Sequence, residues 1–386
     1  MTTRLRYWTL GVLALSGFVT SFGAHIVATN LPAYAEIVGV GAFTIGLLIA
    51  VYDFAELFAK PVAGFVADRY GMKRMLLLGL VIFIFGSALF LFIPPQLLLL
   101  VRFVQGLGAA ALSTISITLV AKYFAAIRGR AFGIYNAIKG AGYVIAPAAG
   151  GFLTSRYGFA AIFVVSAVLG AVALMLSLFL PGDRDRTAVL EDDDDLSLKQ
   201  FFTIFRDRRL LPVYGVIVIN MFMVGIMFGF LPVYLHGLGY TARQSGIVMT
   251  VCTAAYLLSQ PVAGMLADRW AIRTTVLAGL LLAAVTVLTV TFTSGAMLIG
   301  VVVLAGIGIG AVWTNSDALV AALAEPAKLG ASVGAAQSFK EFGDMVGPLL
   351  VGVLTQFFGV RTGFVTCGAL ALLLVIPLIR SPSLRA

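Results

Sequence analysis

Apolar runs long enough to cross a bilayer follow one another along the whole chain, broken only by short polar or Gly/Pro punctuation. A spanning helix needs roughly 20 mostly apolar residues, and about 12 such runs can be marked. The expectation is an all-α polytopic membrane protein. Composition agrees, because only 11% of the 386 residues are charged, against about a quarter in an ordinary soluble domain. The longest polar segment, from Gly182 to Arg209, is too short for a separate soluble domain. The first run continues to about Tyr34, too long for a signal-peptide core and without a clear cleavage site, so it is read as a retained helix. Cys252 and Cys367 fall inside apolar runs, and no disulfide framework is expected.

The net charge of +9 would fit a nucleic-acid binder, but its distribution does not. With the N-terminus placed in the cytoplasm, Arg156, Arg243 and Arg361 fall in outer loops. Lys60, Arg102, Lys139 and Lys340 fall within spans. The remaining 19 of the 26 Lys and Arg lie on the inner side. This bias orients both termini towards the cytoplasm and makes the bilayer, not nucleic acid, the partner.

The chain also repeats itself. "KPVAGFVADRYGMKR" at 60–74 returns as "QPVAGMLADRWAIRT" at 260–274, and "LPAY" at Leu31 returns as "LPVY" at Leu231, both at an offset of 200. Gly133, Gly142 and Pro147 return one residue later, as Gly334, Gly343 and Pro348. The organisation is therefore two pseudo-symmetric six-helix bundles, 1–182 and 210–386, joined by a cytoplasmic linker at 183–209 whose Asp192–Asp195 cluster reads as solvated. Two parallel six-helix halves are a transporter plan, with a substrate site expected near the midplane between repeats.

Three stretches carry a family resemblance. "GFVADRYGMKR" (Gly64–Arg74) looks like the signature loop of the major facilitator superfamily, and "RFVQGLGAA" (Arg102–Ala110) is similar to the fourth-helix motif of its drug/proton antiporters. Gly133, Gly142, Ala146-Pro147 and Gly150-Gly151 look like the fifth-helix antiporter motif, with Ala146 where the family usually has Gly. The resemblance covers essentially the whole chain and implies a major-facilitator-type fold with 12 transmembrane helices. It also implies a gating role for Asp68, Arg69 and Arg74 with their repeat Asp268 and Arg269, and for the motif prolines Pro147 and Pro348. A part in proton coupling for Arg102 follows from it too, although Arg102 also reads as a snorkelling residue at a helix end. Because the second copy of the loop has Ala271 for Gly71, it is expected to be the weaker latch. Small residues spaced along the fifth and eleventh spans are expected to let neighbouring backbones approach closely.

Charges inside spans are expensive, so each is a candidate functional group. Asp53 and Glu56 precede Asp68 by 15 and 12 residues, which places them roughly 22 and 18 Å from the cytoplasmic end. Lys139, Lys340, Glu341 and Asp344 lie at a similar level. Lys139 and Lys340 occupy one register of the repeat, as do Asn136 and Gln337; with Asn315 these five are the candidate substrate-binding residues. Asp53, Glu56, Arg102, Glu341 and Asp344 are the candidates for proton coupling. Lys340 has Asp344 four residues on as a same-helix partner. Lys139 has Tyr143 there instead, so its charge is expected to be balanced by Asp53 or Glu56. The bland alternative is a salt-bridge network that only holds the second, fifth and eleventh spans together. His25 reads first as a polar helix contact, and Asp317 with Asn315 as lining of the inner vestibule.

"GASVG" (Gly330–Gly334) and the glycine clusters from Gly106 and Gly306 resemble enzyme motifs, but they lie in or beside spans, not at strand-to-helix turns. The expectation is not an enzyme, with no cofactor, no metal and no ATP-binding loop. The function expected is a proton-coupled antiporter, a monomer, that exports a small organic or drug-like solute by alternating access. Small organic anions held by Lys139 and Lys340 are the alternative substrate. A lipid-linked substrate and a non-transporting receptor remain as further readings.

Overall fold

The computed structural model describes residues 3–31, 34, 38–124, 127–182, 209–325 and 329–380. Within them the chain is all-helical, with twelve α-helices: α1 (Thr3–Ala28), α2 (Ala42–Tyr70), α3 (Met72–Leu89), α4 (Leu98–Tyr123), α5 (Arg128–Tyr157), α6 (Ala160–Leu178), α7 (Leu211–Gly237), α8 (Ala242–Trp270), α9 (Ile272–Thr289), α10 (Gly295–Leu323), α11 (Leu329–Phe358) and α12 (Val360–Arg380). Ten are long and apolar enough to cross a membrane by length and composition. The other two, α5 and α11, are those that carry Lys139 and the Lys340-Glu341-Asp344 group. The linker expected at 183–209 lies outside the described residues except for Arg209.

Two compact units emerge. One comprises Met1–Gly39, Val51–Val189 and Gly239–Thr250; the other comprises Val40–Ala50, Leu190–Leu238 and Val251–Ala386. The boundaries differ from a simple division at the linker, because the first turns of α2 cluster with the second unit and those of α8 with the first. Inside each unit the packing repeats. α1 packs on α5 and α3 on both α4 and α6; likewise α7 packs on α11 and α9 on both α10 and α12.

Close backbone approach explains much of this order. A Cβ on Gly142 of α5 would meet the backbone of Phe18 and Phe22 on α1, and one on Gly343 of α11 would meet Val218 on α7. Without a hydrophobic drive between helices, such contacts are what packing in lipid depends on. The motif glycines are not all alike, however. Gly133 and Gly334 have open space where a Cβ would stand, so the expectation of close approach holds for only part of each motif.

Both prolines sit where another helix touches. A Cβ on Gly246 of α8 would overlap the Pro147 carbonyl, and one on Gly46 of α2 would overlap the Pro348 carbonyl. Proline removes one backbone donor and opens its helix locally. Beside Pro147 a side chain of α8 joins the backbone of α5. In a continuous helix the Ala148 N–H would donate to the Val144 carbonyl. Here the Ala148 N–H donates to Thr250 Oγ1 at 3.1 Å, and that hydroxyl donates to the Val144 carbonyl at 3.0 Å. Thr250→Val keeps the shape and removes the bridge. It is expected to lower stability by about 1 kcal/mol, with Thr250→Ser close to wild type, as read by thermal melts in detergent.

The two signature loops differ at one backbone position. Gly71, between α2 and α3, has φ 106°, and its counterpart Ala271 adopts φ 124°. Such angles are disfavoured by a Cβ, at a cost of about 1–3 kcal/mol. The fold holds Ala271 there because helices enter and leave the loop as they do around Gly71. Ala271→Gly is therefore expected to stabilise the protein by about 1 kcal/mol after the entropy of the unfolded glycine is counted, measured by denaturant or thermal unfolding.

In the first unit Lys73 adds a clamp. Its ammonium donates to the carbonyls of Leu178 and Leu180 at 2.7 and 2.6 Å, a cation set at the negative end of α6. Tyr123 donates to the Pro181 carbonyl at 3.3 Å beside it.

Candidate functional site

Each unit encloses a charged cluster. In the first, polar and charged side chains converge from α2, α3 and α4. Asp53 and Glu56 are three residues apart and share a face of α2; they are 7% and 8% exposed. Glu56 pairs with Lys60, one turn on, at 2.5 Å. Arg102 on α4 is 1% exposed. Its guanidinium donates to Gln105 Oε1 at 2.7 Å and lies over the Tyr52 ring, 4.3 Å from the centroid. Gln105 in turn donates to Ser87 Oγ on α3 at 3.1 Å. Asp53 and Glu56 are within electrostatic reach of Arg102. Against the snorkelling alternative, the Arg102 side chain turns inward, where a ring face and an amide hold it.

Gly106 makes this approach feasible. A Cβ there would stand 2.6 Å from the Tyr52 carbonyl oxygen and 2.9 Å from Ala55 Cβ. With no side chain at Gly106, α4 comes near enough to α2 for Arg102 to cover Tyr52.

Lys139 does not join the pair expected for it. It is partly buried on α5, and among the described residues it makes no ion pair. Lys139 is expected to be balanced by Asp53 or Glu56; Glu56 pairs instead with Lys60, one helical turn away on the same helix. The near-neighbour signal, Glu56 followed four residues later by Lys60, was present in the sequence. Next to Lys139, Tyr143 makes an edge-on contact with His25 of α1, ring centroids 4.3 Å apart, and His25 Nδ1 lies 3.0 Å from the Ser21 carbonyl. In matching register of the second unit, Gly225 faces Asp344: a Cβ there would meet the Asp344 backbone and Oδ1. Asp344 and Glu341 are partly buried, and Asn136 and Gln337 are both exposed.

The second cluster centres on Lys340. Its expected same-helix partner, Asp344, is not the one it takes. The ammonium lies 2.7 Å from each carboxylate oxygen of Asp317 on α10, and 4.6 Å from the centroid of the Trp313 ring. Trp313 and Asp317 are four residues apart and present one face of α10. Two groups on that face outcompete one carboxylate at i+4. Trp313 and Tyr256, which the sequence reading did not single out, extend the cluster: their rings meet edge-on at 5.6 Å, and Tyr256 meets Phe228 at 6.4 Å. Asn315 is buried and directs its amide to the Ala263 and Ala311 carbonyls, 3.3 and 2.8 Å away. It ties α10 to α8.

At the loops, Arg69, Arg74, Asp268 and Arg269 are exposed. The side chain of Asp68 lies outside the described residues, so the latch expected there has no geometry to report. A cavity of about 510 Å³ opens among α8, α9 and α10, lined almost wholly by apolar groups such as Leu258, Val262, Leu266 and Leu282. Neither Lys340, Asp317 nor Trp313 lines it. We place the candidate site at the charged clusters, where directional chemistry exists, and not at this apolar crevice.

Comparison with known proteins agrees with the architecture. The sequence profile of the Major Facilitator Superfamily matches residues 13–252 and 213–384. Multidrug resistance protein 2 of Bacillus subtilis is 25% identical over 266 residues, 65% of this chain and 65% of that protein. Multidrug resistance protein Stp of Mycobacterium tuberculosis is 34% identical over 178 residues, 45% of this chain and 33% of that protein. The chain thus spans less than two thirds of the length of these two relatives. Multidrug resistance protein MdtG of Citrobacter koseri is 26% identical over 376 residues, 93% of this chain and 91% of that protein. Among solved structures, the bacterial homolog of the human lysosomal transporter Spinster superposes with a TM-score of 0.82 at 16% identity, covering 100% of this chain and 98% of that one. The nucleoside transporter NupG does so with 0.79 at 15% identity, covering 96% and 98%. At these identities the structures share the fold. Duplicated six-helix packing, charge clusters inside spans and a profile match over both halves lead to one conclusion: the chain is a multi-pass membrane protein that belongs to the major facilitator superfamily.

Proposed function

We propose that the protein is a secondary active transporter that exports a small organic, drug-like solute in exchange for protons, by alternating access, as a monomer with both termini in the cytoplasm. The observation that carries this reading is the enclosure of two carboxylates, Asp53 and Glu56, with Lys60 and Arg102 inside spanning helices. Charge so placed is costly, about 2.5–3.5 kcal/mol per group on insertion scales, and is kept where ions or protons pass. The multidrug resistance names of several relatives support a drug-like solute. Lys340, sheltered from solvent with a carboxylate and an indole around it, favours a second reading in which the solute is an organic anion.

Reconstituted vesicles with an imposed pH gradient and a lipophilic dye test the first reading. Asp53→Asn or Glu56→Gln is expected to uncouple dye movement from proton movement, and the double variant to abolish it. Full coupling with both acids neutral would overturn the assignment.

A further inference from the structure

We infer that Asp317 is a built-in stand-in for the substrate: its carboxylate occupies the place on Lys340 where the carboxylate of an amphipathic organic anion binds, with the aromatic or aliphatic body of that anion against Trp313 and Tyr256. The inference rests on the organic-anion reading of the transporter and names its chemistry.

The two partners of the pair are unequally enclosed. The side chain of Lys340 is 5% exposed and that of Asp317 is 44% exposed. A buried ammonium must keep an anion beside it, because an unpaired charge in a low-dielectric interior is unstable. Asp317 is under no such constraint, since water can solvate its carboxylate when it turns away. The pair can therefore open in one direction only, by departure of the acid and arrival of another anion at the lysine. Both oxygens of Asp317 lie 2.7 Å from the ammonium, so the place it vacates has the shape of a carboxylate. Next to that place stands an apolar wall. Trp313 lies under the ammonium, Tyr256 on α8 meets Trp313 edge-on, and Phe228 on α7 meets Tyr256. A ligand with a carboxylate head and an aromatic or aliphatic tail satisfies both features at once; a cation satisfies neither beside Lys340.

The pseudo-symmetry shows that this arrangement is not a by-product of the fold. At the repeat offset of 200, Ser113, Ile117 and Glu56 stand where the second half has Trp313, Asp317 and Tyr256. The two halves build the same helices, and among the described residues the second alone gives its lysine a half-exposed acid and an aromatic wall.

The test uses the full chain in detergent, with 3-phenylpropionate as probe and 3-phenylpropanol as its uncharged counterpart. Asp317→Asn removes the internal competitor and keeps its volume. It is expected to bind 3-phenylpropionate at least about tenfold more tightly than the wild type, with 3-phenylpropanol unchanged and Lys340→Gln losing the carboxylate. As a second measurement, Asp317→Ala leaves a vacancy that acetate can fill. Sodium acetate should raise its melting temperature above that in sodium chloride of equal ionic strength, and Asp317→Ala with Lys340→Gln should show no such rise. Should the alanine variant fail to fold, the asparagine titration decides alone. Equal affinity of Asp317→Asn and wild type for 3-phenylpropionate overturns the inference and leaves a structural bridge between α10 and α11. These equilibrium readouts need no transport, so carboxylate binding without substrate-driven proton movement would instead defeat the transport reading alone.

Discussion

Arg102→Met is expected to abolish coupled transport and to destabilise the protein by about 3 kcal/mol, the order found when one partner of a buried charge cluster is removed. The methionine fills the space but leaves four groups without their cation. Gln105 loses the donor to its Oε1, the Tyr52 face loses its charge, and Asp53 and Glu56 lose the guanidinium within reach. Dye movement driven by a pH gradient should fall by at least about tenfold, equivalent to about 1.4 kcal/mol. Arg102→Lys separates charge from geometry. Its ammonium can neutralise the acids but lacks the planar fork that bonds Gln105 while stacking on Tyr52, so stability should recover more than coupling. Wild-type coupling in Arg102→Met would show that the cluster only holds helices together.

The second large effect is expected at Gly106. Gly106→Val places a branched side chain where a single Cβ already stands 2.6 Å from the Tyr52 carbonyl oxygen. Neither backbone can yield without moving a helix, and overpacking of this kind costs about 1–3 kcal/mol. The displacement acts on α4 one turn from Arg102, so the guanidinium should lift from the Tyr52 ring and coupling should fall along with the melting temperature. Gly133→Ala is the matched control. With nothing near its Cβ, it should be neutral or more stable by up to about 1 kcal/mol, the helix-propensity difference between the two residues.

The repeat made most of the architecture legible. An offset of 200 or 201 residues carried α5 onto α11 and α2 onto α8, and the packing of the two units follows the same correspondence. Register, depth and helix face could be counted from sequence because they are local. Partner choice could not. Lys340 takes Asp317, 23 residues away on another helix, in preference to Asp344 one turn along its own, since the face of α10 offers an indole as well as a carboxylate. Nothing in the spacing of Lys139 reveals that Lys60 takes Glu56 first, although the Glu56 and Lys60 register itself is plain. Boundaries of the units were likewise hidden: the first turns of α2 and α8 cluster away from the rest of those helices, and there Gly46 and Gly246 meet the proline carbonyls of α11 and α5.

Thr250 bears on how such a contact can come apart. The donor and the acceptor it bridges, Ala148 N–H and Val144 C=O, are each other's natural partners in an α-helix. When the hydroxyl withdraws, those two groups can close on one another, and the threonine can turn to a carbonyl of its own helix, as serine and threonine commonly do. No polar group is stranded in hydrocarbon at either end of the movement. Opening the contact between α8 and α5 would thus exchange one set of hydrogen bonds for an equivalent one.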